Sequence, residues 1–92
     1  MYLHIGQNVL VEENRIIGIF DFEHASEGKQ SMQYLQQAER ESIIISACDD
    51  VPRSFVVCDH PYHKQIVYLS QLSSATLQKR MESGQFLEEA AL

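Results

Sequence analysis

The sequence is poor in the residues that mark several common classes of protein. It has 92 residues with no tryptophan, two cysteines and four glycines, and the glycines stand apart at positions 6, 18, 28 and 84. Scattered glycines provide no glycine-rich phosphate loop. The apolar runs are only a few residues long, whereas a transmembrane helix needs about 20 apolar residues, so no membrane association is predicted.

Basic charge is also scarce. Seven Lys and Arg stand against 13 Asp and Glu, which gives a net charge of −6. A chain with this balance repels nucleic acid and anionic membranes as a whole. Three of the acids, Glu82, Glu88 and Glu89, lie in the last eleven residues, which contain no base. A DNA-binding surface on this chain would therefore have to be local, with the acids elsewhere.

The start of the sequence has no basic region followed by an apolar stretch, so no secretory signal is predicted and the expected compartment is the cytoplasm. In that compartment Cys48 and Cys58 are expected to be free thiols.

Short apolar groups alternate with turn residues over the first 22 residues, a pattern typical of short strands. Gly18 inside one strand indicates a bulge. A helix through about Arg40 is expected, with an N-cap in His24-Ala25-Ser26, and a second begins after an N-cap at Ser73. The predicted strands are Tyr2–Ile5, Val9–Val11, Arg15–Phe20, Ile43–Ile45 (buried), Ser54–Cys58 and Gln65–Leu69.

These elements predict a single α+β domain, a small and mostly antiparallel sheet with one central and one C-terminal helix. The domain is expected over residues 1–81, followed by an acidic tail over 82–92. In the second helix, Leu77 and Met81 share the core-facing side, while Lys79 and Arg80 are expected to project elsewhere.

No residue is predicted to be catalytic. A reactive cysteine needs an electropositive setting, but Asp59 adjoins Cys58 and Asp49 adjoins Cys48. The cluster of Cys58, His60 and His63 has three side chains of the types that zinc favours, but a structural zinc site needs four ligands. We therefore expect no metal and no other cofactor.

Four basic residues are candidates for contact with DNA: Arg15, Arg53, Lys79 and Arg80. Arg15 and Arg53 each stand where a turn leads into a strand, and the other two lie on the second helix, whose N-terminus carries hydroxyl groups. Arginines at turns, hydroxyls and helix N-termini are groups that bind phosphates. The alternative is that these are ordinary solvated surface residues.

Four blocks of the sequence together resemble a known family: Met1–Gly6, Arg15–Asp21, Pro52–Val57 and Val67–Arg80. The last contains the pattern Ser-Ser-x-Thr-Leu-x-x-Arg, which is the most specific. The chain resembles the small extracellular-matrix regulatory proteins of Gram-positive bacteria (the RemA/RemB-like family), and their B branch more than their A branch. The resemblance implies regulation of matrix genes, and in the A branch DNA binding by a ring-like oligomer through arginines, one of which matches Arg15.

This sequence departs from the A branch at its second group of arginines. That group reads Asp49-Asp50-Val51-Pro52-Arg53 here, so Arg53 is the base that remains and two acids precede it. Fewer phosphate contacts release fewer counterions and weaken binding. Two functions therefore stay open: a homo-oligomeric, ring-forming DNA-binding regulator, or a protein–protein module that modulates a DNA-binding paralogue or another regulator.

Overall fold

The strands and helices follow one another in the order expected from the sequence. A computed structural model of the chain describes residues 2–22, 28–62 and 65–82. A turn of 3₁₀ helix at Glu13–Arg15 precedes β3. The strands are β1 (Tyr2–Gly6), β2 (Val9–Glu12), β3 (Ile16–Asp21), β4 (Ile44–Ser46), β5 (Ser54–Asp59) and β6 (Gln65–Ser70), and the helices are α1 (Lys29–Arg40) and α2 (Ser74–Glu82).

The described strands form two sheets. β1 and β2 form an antiparallel hairpin, and the other four strands form a sheet in the order β3-β5-β6-β4. Among the described strand pairs of that sheet, β4 with β6 is parallel and the other two are antiparallel. The pairing of β3 with β5 shifts register between Ile16 and Gly18, which confirms the bulge. The predicted α+β class with mostly antiparallel strands is thus confirmed.

The β1–β2 turn has a backbone that its sequence favours. Gln7 and Asn8 have φ values of 44° and 64°, and two such residues in a row make the turn that matches the twist of a hairpin. Gly6 before them has a φ of 138°, and a Cβ there would lie 2.6 Å from the carbonyl oxygen of Ala47. This position therefore requires glycine.

The four-stranded sheet is covered on both faces. On one face, residues such as Val56 and Cys58 pack against the hairpin and against Leu77 of α2. On the other face, residues such as Phe55 and Val57 pack against α1. Alternation along β5 sends its side chains to both faces, which explains why five consecutive residues of this strand are buried.

Two buried serines tie these layers together at one end of the sheet. Ser54 and Ser70 lie opposite each other on β5 and β6. Ser70 Oγ donates to the carbonyl of Ile5 in β1 at 2.6 Å, and Ser54 Oγ donates to the carbonyl of Leu72 at 2.7 Å. These bonds fix the hairpin and the start of α2 relative to the sheet.

Some sequence-based expectations need correction or lie outside the described residues. The strand at Ile43–Ile45 was expected to be buried, but β4 is an edge strand and Ile45 is 43% exposed. Three apolar residues in a row indicate a strand, but the burial of that strand depends on which other strands and helices pack against it. The expected N-cap at His24-Ala25-Ser26 lies outside the described residues. Neither α1 nor α2 is long and apolar enough to cross a membrane.

Candidate nucleic-acid interface

Arg15 lies on the surface at the entrance to β3. It is the last residue of the 3₁₀ turn, so β3 begins one residue later than the sequence indicated. Its side chain is 47% exposed, and its Nε lies 3.5 Å from Oε2 of Glu12. A surface ion pair of this kind contributes about 0–1 kcal/mol. Arg15 can therefore leave Glu12 for a phosphate at little cost.

Arg53 has a fixed backbone and an exposed side chain. Its N–H donates to the carbonyl of Ser70 at 2.8 Å, and its own carbonyl accepts from the N–H of Phe22 at 3.0 Å. These two bonds hold Arg53 between the ends of β3 and β6, directly before β5. Its side chain is exposed, so the backbone anchors a guanidinium that faces water.

The two arginines lie at opposite ends of the β3–β5 pair. Ile16, next to Arg15, pairs with Cys58 near the end of β5, whereas Asp21 pairs with Ser54, next to Arg53. The two ends are five residue steps apart along β3, which is roughly 17 Å at about 3.3 Å per residue. The fold therefore does not bring Arg15 and Arg53 into one cluster within a single chain.

Helix α2 has the N-cap and the buried face that the sequence predicted. Ser73 Oγ accepts from the N–H of Thr76 at 3.1 Å. Leu77 is fully buried, and Leu72 and Met81 pack against the same cluster. Lys79 is exposed.

Arg80 does not project away from the core as expected. It is partly buried, and its Nη1 donates to the carbonyl of His4 in β1 at 3.1 Å. Residues three apart lie on neighbouring positions of a helix surface, so Arg80 shares part of the face that Leu77 buries. Arg80 thus links α2 to the hairpin, whereas Lys79 remains at the surface.

The segment before Arg53 presents carboxylates to water. Asp49 and Asp50 are both exposed. Asp50 Oδ1 accepts from the N–H of Val51 at 2.7 Å, and Cys48 Sγ donates to the carbonyl of Asp50 at 3.3 Å. These short-range bonds give the turn a defined shape. Its two acids oppose any phosphate that approaches Arg53 from this side.

Cys58 is placed as a core residue. It is 2% exposed, and burial raises the pKa of its thiol to about 11. The thiol therefore stays protonated near neutral pH and is a poor nucleophile. Within the described ranges no three His, Cys, Asp or Glu side chains group as a metal site. His63 lies outside those ranges, so the expectation that Cys58, His60 and His63 bind no metal stays a prediction.

One surface feature was not found from the sequence. Ile17 and Phe20 on β3 are 57% and 46% exposed. The signal was the apolar run Ile16-Ile17, interrupted by Gly18 and resumed by Ile19-Phe20. Such a run has apolar side chains for both faces, and the bulge adds a residue that the core does not cover.

Comparison with known proteins places this fold in a family. A family model described as extracellular matrix regulatory protein A-like matches residues 2–81. The chain is also 33% identical over 82 residues to extracellular matrix regulatory protein B of Bacillus subtilis (strain 168), which covers 89% of this chain and 91% of that protein. The chain therefore belongs to the RemA-like family of extracellular matrix regulatory proteins.

Proposed function

We propose that this protein is a non-enzymatic transcriptional regulator of extracellular-matrix genes that binds DNA as a homo-oligomeric ring. Its family supports a regulatory role in matrix genes. The observation that carries the DNA-binding part is that two exposed arginines lie where the chain enters a strand, Arg15 as the last residue of the 3₁₀ turn and Arg53 between strand ends. Lys79, exposed on α2, and Arg80 provide secondary positive charge.

The charge of the chain makes assembly part of this proposal. A single chain at −6 offers DNA a few separated bases, and one or two phosphate contacts are too weak at physiological salt. Identical chains around a symmetry axis repeat Arg15 and Arg53 at regular intervals. Once one contact has formed, the other arginines meet the same DNA molecule at a high effective concentration, so many weak contacts together give tight binding.

An electrophoretic shift with matrix-operon DNA at low and high salt tests the proposal. We expect binding that weakens steeply with salt, with Arg15→Ala and Arg53→Ala each reducing affinity and flattening the salt dependence. Arg40→Ala is the matched control, because Arg40 is an exposed arginine on α1 that bonds Gln37. Equal losses for Arg40→Ala and Arg15→Ala would contradict the assignment.

The second candidate is a protein–protein module that modulates a DNA-binding paralogue or another regulator. The exposed Asp49 and Asp50 beside Arg53 and the net charge of −6 favour it. No shift at low salt, together with a complex formed with such a regulator, would support the module instead.

A further inference from the structure

Tyr62 is the most exposed large apolar side chain among the described residues. Its exposed fraction is 87%, against 47% for Tyr2 and 46% for Phe20. A side chain that buries so little of its surface contributes little to the free energy of folding. The fold therefore does not account for a tyrosine at this position, whereas a contact with another molecule would.

Tyr62 lies on a loop with a defined backbone. The structure describes residues 60–62 of the segment that connects β5 to β6, here named the β5–β6 loop. The N–H of Tyr62 donates to Nδ1 of His60 at 3.1 Å, and the centroids of the two rings are 5.8 Å apart. A hydrogen bond from the backbone to a side chain two residues earlier is a local turn contact. It holds the backbone of Tyr62 while the side chain stays in water.

The β5–β6 loop and Arg15 lie at the same end of the sheet. Ile16, next to Arg15, pairs with Cys58, and the loop begins two residues after Cys58. One strand spacing of about 5 Å and three residues of about 3.3 Å separate the backbone of Arg15 from that of Tyr62, which is at most roughly 15 Å. A DNA strand presents one phosphate about every 3.4 Å along its axis. One segment of DNA can therefore contact both side chains.

A phenol suits this part of an acidic chain. Asp59 is exposed at the base of the loop, and Glu12 lies beside Arg15. Each carboxylate weakens the attraction of a nearby base for phosphate. The tyrosine hydroxyl is a neutral hydrogen-bond donor, and tyrosine is among the side chains that bind DNA phosphates. A neutral donor adds a contact here without the positive charge that neighbouring acids would partly cancel.

We infer that Tyr62 is a DNA contact beside Arg15, with its hydroxyl donating to a backbone phosphate oxygen. The inference rests on the DNA binding in the proposed function and adds to it a residue that the sequence did not indicate. A phosphate contact does not read the base sequence. Tyr62 therefore strengthens binding to matrix-operon DNA and to unrelated DNA alike.

DNA affinity measured over a range of salt concentrations separates the role of Tyr62 from that of Arg15. Tyr62→Phe removes the hydroxyl and keeps the ring, and we expect roughly tenfold weaker binding at each salt concentration. Because a neutral group releases no counterion, the salt dependence should keep its wild-type slope, whereas Arg15→Ala should flatten it. Tyr34→Phe is the matched control and should bind DNA as the wild type does, since the Tyr34 hydroxyl donates to Oε1 of Gln65 at 2.5 Å.

A tryptophan in the loop reports the contact directly, because the chain contains no other tryptophan. We expect the fluorescence emission of the Tyr62→Trp chain to change when DNA is added. Gln33→Trp, at an exposed position on α1, is the control, and its emission should stay constant. All of these variants should keep the native mass of the wild type.

Each other outcome overturns the inference. Wild-type affinity for Tyr62→Phe, with the loss for Arg15→Ala intact, would assign the loop to a protein partner and leave the proposed function standing. A flatter salt dependence or a lower native mass for Tyr62→Phe would mean that Tyr62 acts through charge or through assembly. Equal emission changes in the two tryptophan variants would remove the evidence for a local contact. A wild-type chain that binds no DNA at low salt would overturn the proposed function together with the inference.

Discussion

Replacing Leu77 by alanine tests how far the fold depends on α2 packing onto the sheet. Leu77 is fully buried in the cluster that contains Leu3, Ile5 and Val56. It therefore joins the helix to the hairpin and to a central strand at once. Large-to-small changes at such positions cost about 2.7–5 kcal/mol, from lost transfer free energy and the cavity that remains.

That loss is large for a chain of this size. Domains of about 90 residues have a free energy of unfolding of roughly 5–14 kcal/mol, so Leu77→Ala removes about a fifth of the total or more. A loss of about 3 kcal/mol lowers the melting temperature by roughly 12–24 °C. Urea unfolding at one fixed protein concentration measures the change, because self-association makes apparent stability concentration-dependent.

Lys79→Ala is the control for this prediction. Lys79 lies two residues further along the same helix, is exposed, and should change the free energy of unfolding by less than about 0.5 kcal/mol. The two substitutions therefore share a helix and differ in burial. Similar shifts for both would mean that α2 does not bury the face described above.

Two further substitutions, Cys58→Ala and Ser70→Ala, have expected effects on the free energy of unfolding. Burial raises the pKa of the Cys58 thiol from 9.0 to about 11, so the unfolded chain releases this proton first and stability falls as pH rises from about 9 to about 11. Urea titrations at pH 8 and 10 should show a smaller fall for Cys58→Ala than for wild type, and equal falls would refute the linkage. Ser70→Ala leaves the carbonyl of Ile5 and the N–H of Leu72 without their hydroxyl partner, which costs about 1–3 kcal/mol. Ser46→Ala, at an exposed position, should cost little, and an equal cost for both would refute the role of Ser70.

Local features of the fold were predictable because a few neighbouring residues determine them. The Ser73 cap and the buried Leu77 follow from spacing along one helix. The bulge follows from a glycine inside a strand, and the first turn from Gly6-Gln7-Asn8.

Features that depend on distant partners were not predictable in this way. The edge position of β4 depends on its parallel pairing with β6, and an apolar run carries no information on pairing. The hydrogen bond of Arg80 to His4 joins residues 76 positions apart. For the candidate site, the sequence identified Arg15 and Arg53 but not their separation to opposite ends of one strand pair, which follows from the register of β3 with β5.

Because Arg15 and Arg53 lie at opposite ends of one strand pair, the proposed DNA binding requires assembly of several chains. Two arginines at opposite ends of a strand pair roughly 17 Å long, on a chain of net charge −6, bind DNA weakly, whereas repeated copies provide many contacts.

The most direct test is the affinity for matrix-operon DNA of wild type, Arg15→Ala and Arg40→Ala at one salt concentration, with native mass recorded for each sample. We expect the wild-type chain to have the mass of an oligomer, Arg15→Ala to keep that mass and lose DNA affinity, and Arg40→Ala to keep both. A monomeric wild-type chain that binds DNA tightly, or an Arg15→Ala variant that binds DNA as the wild type does, would contradict the proposed function.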